Sequence, residues 1–220
     1  MQNKNVQCAD NENFIKLTDI SKSYGEKTLF DRFSYSFVPG KIYEIVGGNG
    51  CGKSTLLRII SSLTSPDKGE VEVKGKIAYV FQEHRLFLHL SAFDNASISA
   101  AAVAGKGSDG TDNDEYIKIK QNAKEILTLF GFSESDMKKK PSHLSGGMKQ
   151  AVSIARAFAC ERKILLLDEA SKELDIDARN TFRELLKKRK SDSIIIFVTH
   201  NPEDFPLADE TIFLPYISNN

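Results

Sequence analysis

The sequence predicts an α/β fold, a mainly parallel sheet with helices on its faces. Three observations predict it. Short aliphatic runs recur at Lys41–Val46, Lys163–Leu167 and Ser193–Thr199, and the segments between them carry apolar residues at helical spacing. Runs this apolar suit strands covered on both faces, as in parallel sheets. The first run ends directly in a glycine-rich turn that opens a helical pattern. Finally, 220 residues with 40% hydrophobic side chains, 14 Gly and 6 Pro describe an ordinary globular chain that needs no staple.

In chain order, the polar stretch Met1–Asn13 is expected to be a flexible tail and does not resemble a signal peptide. Phe14–Ser21 and Thr28–Val38 read as strands, the second with Phe33, Tyr35 and Phe37 on one side. Pro39-Gly40 turns the chain into strand Lys41–Val46; after the loop, Leu56, Leu57, Ile59, Ile60 and Leu63 mark a helix. Beyond the turn Ser65-Pro66-Asp67, Glu70–Val73 and Lys76–Phe81 predict a hairpin around Gly75. Ser91 is placed to cap a helix reaching about Ala104, Gly105–Asp114 reads as a mobile surface loop, and Ile119, Ala123, Ile126, Leu127 and Phe130 mark the next helix. Ser145 caps a further helix through Cys160; Ala178, Phe182 and Leu185 mark one more before the last strands, Ser193–Thr199 and Thr211–Leu214. No fixed-period repeat appears, which excludes a solenoid.

Composition removes several function classes. Thirty basic residues against 30 acidic ones give zero formal charge, so no nucleic-acid partner is expected, and the runs Lys138–Lys140 and Lys187–Lys190 read as solvated faces. Three cysteines, Cys8, Cys51 and Cys160, stand at unrelated spacings and indicate neither a disulfide framework nor a zinc site. The longest apolar runs fall well short of the roughly 20 residues that cross a bilayer. If the protein works at a membrane, another chain must span it.

The chemistry begins at Gly47-Gly48-Asn49-Gly50-Cys51-Gly52-Lys53-Ser54-Thr55, which fits G-x-x-x-x-G-K-S between strand and helix. Backbone N–H groups in such a loop form a nest for phosphates, and the helix N-terminus adds positive potential. Lys53 is placed to reach the β- and γ-phosphates and Ser54 to ligate Mg²⁺. Ile164–Leu167 then runs into Asp168 and Glu169 at the C-terminal end of a strand, where open α/β sheets place ligands. Asp168 suits Mg²⁺, directly or through water, and Glu169 suits polarising a water. Ser145, Gly146 and Gly147 open a helix and offer a second anion-seeking N-terminus, surplus unless it serves another copy of the chain.

Together these residues resemble the ATP-binding cassette (ABC) family, specifically a stand-alone transporter ATPase subunit, over about residues 14 to 214. The resemblance places Gly47–Thr55 on the Walker A loop, Gln82 on the Q-loop and Leu144–Gln150 on the signature. It places Ile164–Glu169 on the Walker B strand, Leu174-Asp175 on the D-loop and His200 on the switch histidine. It implies a P-loop NTPase core with a small antiparallel β subdomain and an α-helical subdomain. Residues 14–90 and 144–220 would form the core with the β subdomain, and 91–143 the helical subdomain, in one domain. It implies two ATPs sandwiched in a head-to-tail homodimer, or a dimer with a paralogue, with Ser145 and Gly147 touching the γ-phosphate in trans. Glu169 would be the general base, His200 a γ-phosphate sensor, Gln82 a Mg²⁺ or water contact, and Tyr24 the ring stacked on adenine. The resemblance implies a membrane permease as partner, with a solute-binding protein reached through that permease, and places this chain on the cytoplasmic face of the membrane. The short Gly69–Gln82 stretch and Phe81–Leu86 look somewhat like nitrate, sulfonate and taurine importer subunits, which favours import. The end of the chain just after Leu214 leaves no room for a C-terminal regulatory domain.

Departures from the family pattern are Gly48, Cys51, Met148, Ala151 and Ala170, none of which removes a phosphate, metal or base contact. A thiol at Cys51 predicts alkylation-sensitive activity that MgATP protects. Leu86, Phe87, Leu88, Leu90 and Phe93 are the candidate docking surface for the permease, with burial in the helical subdomain as the other reading. The alternative function is a soluble ABC-type ATPase in a cytosolic assembly such as iron–sulfur cluster biogenesis. A P-loop GTPase or small-molecule kinase lacks support, because no N-K-x-D motif follows the core strands.

Overall fold

In the computed structural model, described for residues 13–102, 111–199 and 206–214, two sheets share one phosphate loop. The strands β1 (Phe14–Tyr24), β2 (Lys27–Phe37) and β4 (Lys68–Lys74) form an antiparallel sheet in the order β2-β1-β4. The strands β3 (Lys41–Val46), β5 (Ile77–Val80), β6 (Ile164–Asp168), β7 (Ile194–Val198) and β8 (Glu210–Phe213) form the second sheet, parallel throughout, in the order β5-β6-β7-β3-β8. The α/β expectation and its helix-covered parallel sheet are met.

Period-two burial explains how one parallel sheet serves two cores. Tyr43, Ile45, Ile164, Leu166, Ile194 and Ile196 pack with α1 (Lys53–Ile60) and the antiparallel sheet. Their alternates Ile42, Leu165, Leu167, Ile195 and Phe197 pack under α3 (Thr111–Leu129), α5 (Gly146–Ala159) and α6 (Ile176–Arg189). β6 and β7 are buried along their whole length, as unbroken aliphatic runs require.

Three expectations are corrected. Glu70–Val73 and Lys76–Phe81 are not a hairpin: β4 pairs with β1, while β5 pairs in parallel with β6, Ile77 opposite Ile164. Gly75, at φ +128° and with Asn13 Oδ1 2.5 Å from where a Cβ would stand, is the point at which the chain passes from one sheet to the other. The helix from Ser91 is only α2 (Ala92–Ala96), followed by a 3-10 segment at Ile98–Ala102. Ser97 Oγ donates to the Phe93 carbonyl at 2.8 Å, the local competition that loosens helices. Of the predicted loop Gly105–Asp114, residues 105–110 lie outside the described residues, and Thr111–Asp114 is already the first turn of α3. The tail at residues 1–12 also lies outside them. A short α4 (Glu134–Met137) starts from a capping box in which Ser133 and Asp136 bond each other's backbone N–H.

Candidate functional site

The loop is built by the end of β3 and the start of α1. Gly52, the residue before the helix, sits at φ +105°, and a Cβ there would stand 2.8 Å from Phe30 Cζ. Only glycine meets both conditions. The Cys51 N–H donates to the Gly48 carbonyl at 3.2 Å and closes the turn. Lys53, 7% exposed, folds its amine back onto the Gly47 and Gly48 carbonyls at 2.8 and 3.2 Å.

Opposite the loop stands the end of β6. Asp168 is 3% exposed and accepts a hydrogen bond from Ser54 Oγ at 2.9 Å; the Tyr79 hydroxyl donates to its other oxygen at 3.4 Å. Burial pushes the Asp168 carboxyl above its ordinary range, the Ser54 hydrogen bond opposes that, and the neighbouring Glu169 charge adds to it. Glu169 has a left-handed backbone at φ +51°, which turns the chain out of the sheet, while its N–H still donates to the Val198 carbonyl at 2.9 Å. Its carboxylate pairs with Lys172 Nζ at 2.7 Å. That contact raises the Lys172 amine.

Between loop and strand lies a cleft of about 390 Å³. Of the sequence-predicted residues, Tyr24, Asn49, Gly50, Gly52, Lys53, Ser54, Thr55, Gln82 and Glu169 line it. Gly47 and Gly48 contribute the carbonyls that hold Lys53. Cys51 corrects an expectation: it is 3% exposed and packs in the core beneath the loop, its sulfur 2.6 Å from where a Gly47 Cβ would stand. The thiol therefore faces away from the cleft, and easy alkylation is not expected. Ser145, Gly146, Gly147 and Asp175 do not line the cleft. Ser145 caps α5 by accepting from the Met148 N–H at 3.2 Å, Asp175 caps α6 from the Ala178 N–H at 2.8 Å, and a Cβ on Gly147 would stand 2.8 Å from the Glu173 carbonyl. His200 lies outside the described residues.

Sequence reasoning missed four residues. Lys27 lines the cleft beside Tyr24. Arg156, inside α5, donates to the carbonyls of Arg85 at 2.8 Å and His84 at 3.0 Å, and Ser153 Oγ donates to His84 at 2.9 Å. These bonds fix the segment after Gln82 to the helix that Ser145 caps. Lys172 holds Glu169, as above. The predicted docking stretch divides: Phe87 and Leu88 are exposed, whereas Leu86 and Phe93 pack on the helical core.

The oxygen donors of Ser54, which lines the cleft, and of Asp168, buried directly behind it, fit a small hard cation. Among the described residues no three His, Cys, Asp or Glu side chains converge into a metal cage. Mg²⁺ does not need one, because it keeps waters and takes phosphate oxygens.

A family model described as "ABC transporter" matches residues 30–172. The chain is 31% identical over 218 residues to the Fe(3+) ions import ATP-binding protein FbpC of Pasteurella multocida, covering 93% of this chain and 60% of that protein. It is 34% identical to the spermidine/putrescine import ATP-binding protein PotA of the same organism, covering 93% and 56%. A third relative, the sulfate/thiosulfate import ATP-binding protein CysA of Burkholderia mallei, is 32% identical over 91% of this chain and 59% of its own. The chain thus spans about three fifths of the length of these relatives. Among solved structures, the post-hydrolysis dimer of the ATP-binding cassette MJ0796 bound to ADP and Pi superposes with a TM-score of 0.77 at 28% identity, covering 91% of this chain and 94% of that one.

Proposed function

The chain belongs to the ABC transporter family, and on that premise we propose that it is the ATP-hydrolysing subunit of a transporter, driving a separate membrane permease. The observation that carries the reading is the hydrogen bond at 2.9 Å from Ser54, which lines the cleft with Glu169, to Asp168 buried behind it. On this reading the metal-binding oxygens and the general base stand at one end of a phosphate-binding loop.

The residues then divide the work. Loop N–H groups from Asn49 to Thr55 receive the phosphates, and Lys53 exchanges its two carbonyl partners for phosphate oxygens. Tyr24, half exposed at the rim, offers its ring to the base. Ser54 and Asp168 would hold Mg²⁺, with Gln82 lining the same cleft, and the ion would supply charge that offsets the phosphates. Glu169 accepts a proton from the attacking water once Lys172 yields its oxygen, and His200 senses the γ-phosphate. Ser145 and Gly147, outside this chain's own cleft, serve the nucleotide of a second copy in a head-to-tail dimer. Residues 14–90 and 144–220 act as the ATP-binding core, and 91–143 as the helical part that meets the permease. The relatives named for import of ferric ions, spermidine/putrescine and sulfate/thiosulfate support an importer on the inner face of a membrane, with the cargo set by the permease cavity. Among the described residues no helix is long and apolar enough to cross a membrane.

Two measurements test the reading. Purified protein is expected to hydrolyse MgATP, and Lys53→Ala to abolish both hydrolysis and nucleotide binding; an unaffected variant refutes the site. Tagged protein recovered from gently solubilised membranes of its native host is expected to bring a multi-spanning permease. Recovery with soluble assembly proteins alone would overturn the transport half while leaving the ATPase half intact.

A further inference from the structure

We propose that Lys27 is a second phosphate-contacting cation of the cleft, binding the polyphosphate chain of a nucleotide from the side opposite Lys53; the inference rests on the nucleotide-binding reading above. Lys27 opens β2 and is the register partner of Tyr24 across the tight turn Gly25-Glu26, so pairing carries the ring and the amine together. Both line the cleft, although they belong to the antiparallel sheet and not to the sheet that carries the loop. Lys27 reaches the loop itself: its Nζ lies 3.0 Å from where a Cβ on Gly50 would stand. A larger residue at Gly50 would meet that amine, whereas glycine lets it approach the loop backbone.

The two cations of the cleft lining are differently placed. Lys53 is buried and its amine is satisfied by two loop carbonyls, so it acts from inside the turn. Lys27 is exposed, lines the cleft with Tyr24 and brings its amine to Gly50 of the same loop. The acidic groups of the site, Asp168 and Glu169, lie at the end of β6 by Ser54. A ligand with an aromatic base on Tyr24 and a phosphate chain running toward Ser54 therefore passes Lys27 on the way. The chemistry recognised is a nucleoside di- or triphosphate, with the amine reading charge and not the base.

Equilibrium binding of ATP, ADP and adenosine, each by competition against a fluorescent nucleotide at two salt concentrations, tests this. Lys27→Met is expected to weaken ATP by about tenfold, the size of one partly exposed charge-assisted hydrogen bond, and to leave adenosine within about twofold. The salt dependence of ATP binding should flatten in the same variant. Lys27→Arg should restore ATP affinity, because it keeps the charge. Unchanged ATP binding by Lys27→Met overturns the assignment, as does an equal loss for ATP and adenosine, which would mark a structural role. If the parent chain binds ATP while Lys27→Met is silent, only this inference falls. If the parent binds no ATP, the nucleotide reading falls with it.

Discussion

Arg156 gives the sharpest test of how the site is held. Its guanidinium lies largely buried, which lowers its pKa, and it reaches two backbone carbonyls beyond Gln82, at 2.8 Å to Arg85 and 3.0 Å to His84. Arg156→Met keeps the apolar stem and removes both bonds. A hydrogen bond to a charged group contributes about 1.5–3 kcal/mol. The His84 carbonyl keeps Ser153 as a donor at 2.9 Å, so one bond is partly replaced, and the net loss should be about 2–4 kcal/mol. For a chain this long, each kcal/mol moves the melting temperature by about 2–4 °C, so thermal unfolding by circular dichroism should fall by about 10 °C. Hydrogen exchange should accelerate first at residues 82–90, and Arg156→Lys should recover only part of the loss, because a single ammonium lacks the fork. A variant that melts within about 2 °C of the parent, with unchanged exchange in that segment, refutes the argument.

Other expectations follow from the same geometry. Glu169→Gln should keep ATP binding and slow hydrolysis by about 10²–10⁴-fold, the usual range for a lost general base, and normal turnover would remove Glu169 from that role. Cys51 should react with a water-soluble maleimide far more slowly than Cys160, which is only half-buried; peptide mapping that finds Cys51 modified first would contradict its placement beneath the loop. Gly52→Ala must accept a left-handed backbone and a contact 2.8 Å from Phe30, so phosphate binding should be lost and stability lowered by about 2–4 kcal/mol, read from unfolding curves. Asp136 is held at about 2, below its ordinary 3.8, first by its hydrogen bond to Lys139 and then by Ser133. Its stabilising contribution is therefore present above about pH 4 and lost as pH falls toward 2. Asp136→Asn should remove that part of the acid transition, seen by NMR at α4.

The phosphate loop and the Asp168–Glu169 strand end were legible because each is a continuous stretch whose chemistry is local: glycines before Lys53-Ser54, and acids closing an aliphatic run. Cys51 was misplaced because sequence spacing says a residue is in the loop but not which way its side chain turns. Arg156 and Ser153 were missed because their partners are backbone carbonyls, which leave no trace in residue identity. The hairpin expectation failed at Gly75 for a related reason. Two short strands separated by a glycine look alike whether they pair with each other or leave for different sheets, and only distant partners decide. The role of α2 was hidden in the same way. Asn95 is fully buried and its amide gathers the carbonyls of Phe87, Leu90 and Ser91, so α2 serves as an anchor for the loop before it.

The order of the parallel sheet also sets an order of assembly. β3 carries the phosphate loop, yet both of its neighbours, β7 and β8, come from the last part of the chain. A nascent chain that has emerged only through α1 can already complete most of the β1–β2 pairing, but the strand beneath its loop has no partner on either side. The loop should therefore acquire its shape only after the Asp168 strand and the strands that follow it have been made. Until then β3 offers two open edges, so this is the stage at which a ribosome-bound intermediate is most exposed to wrong strand pairing.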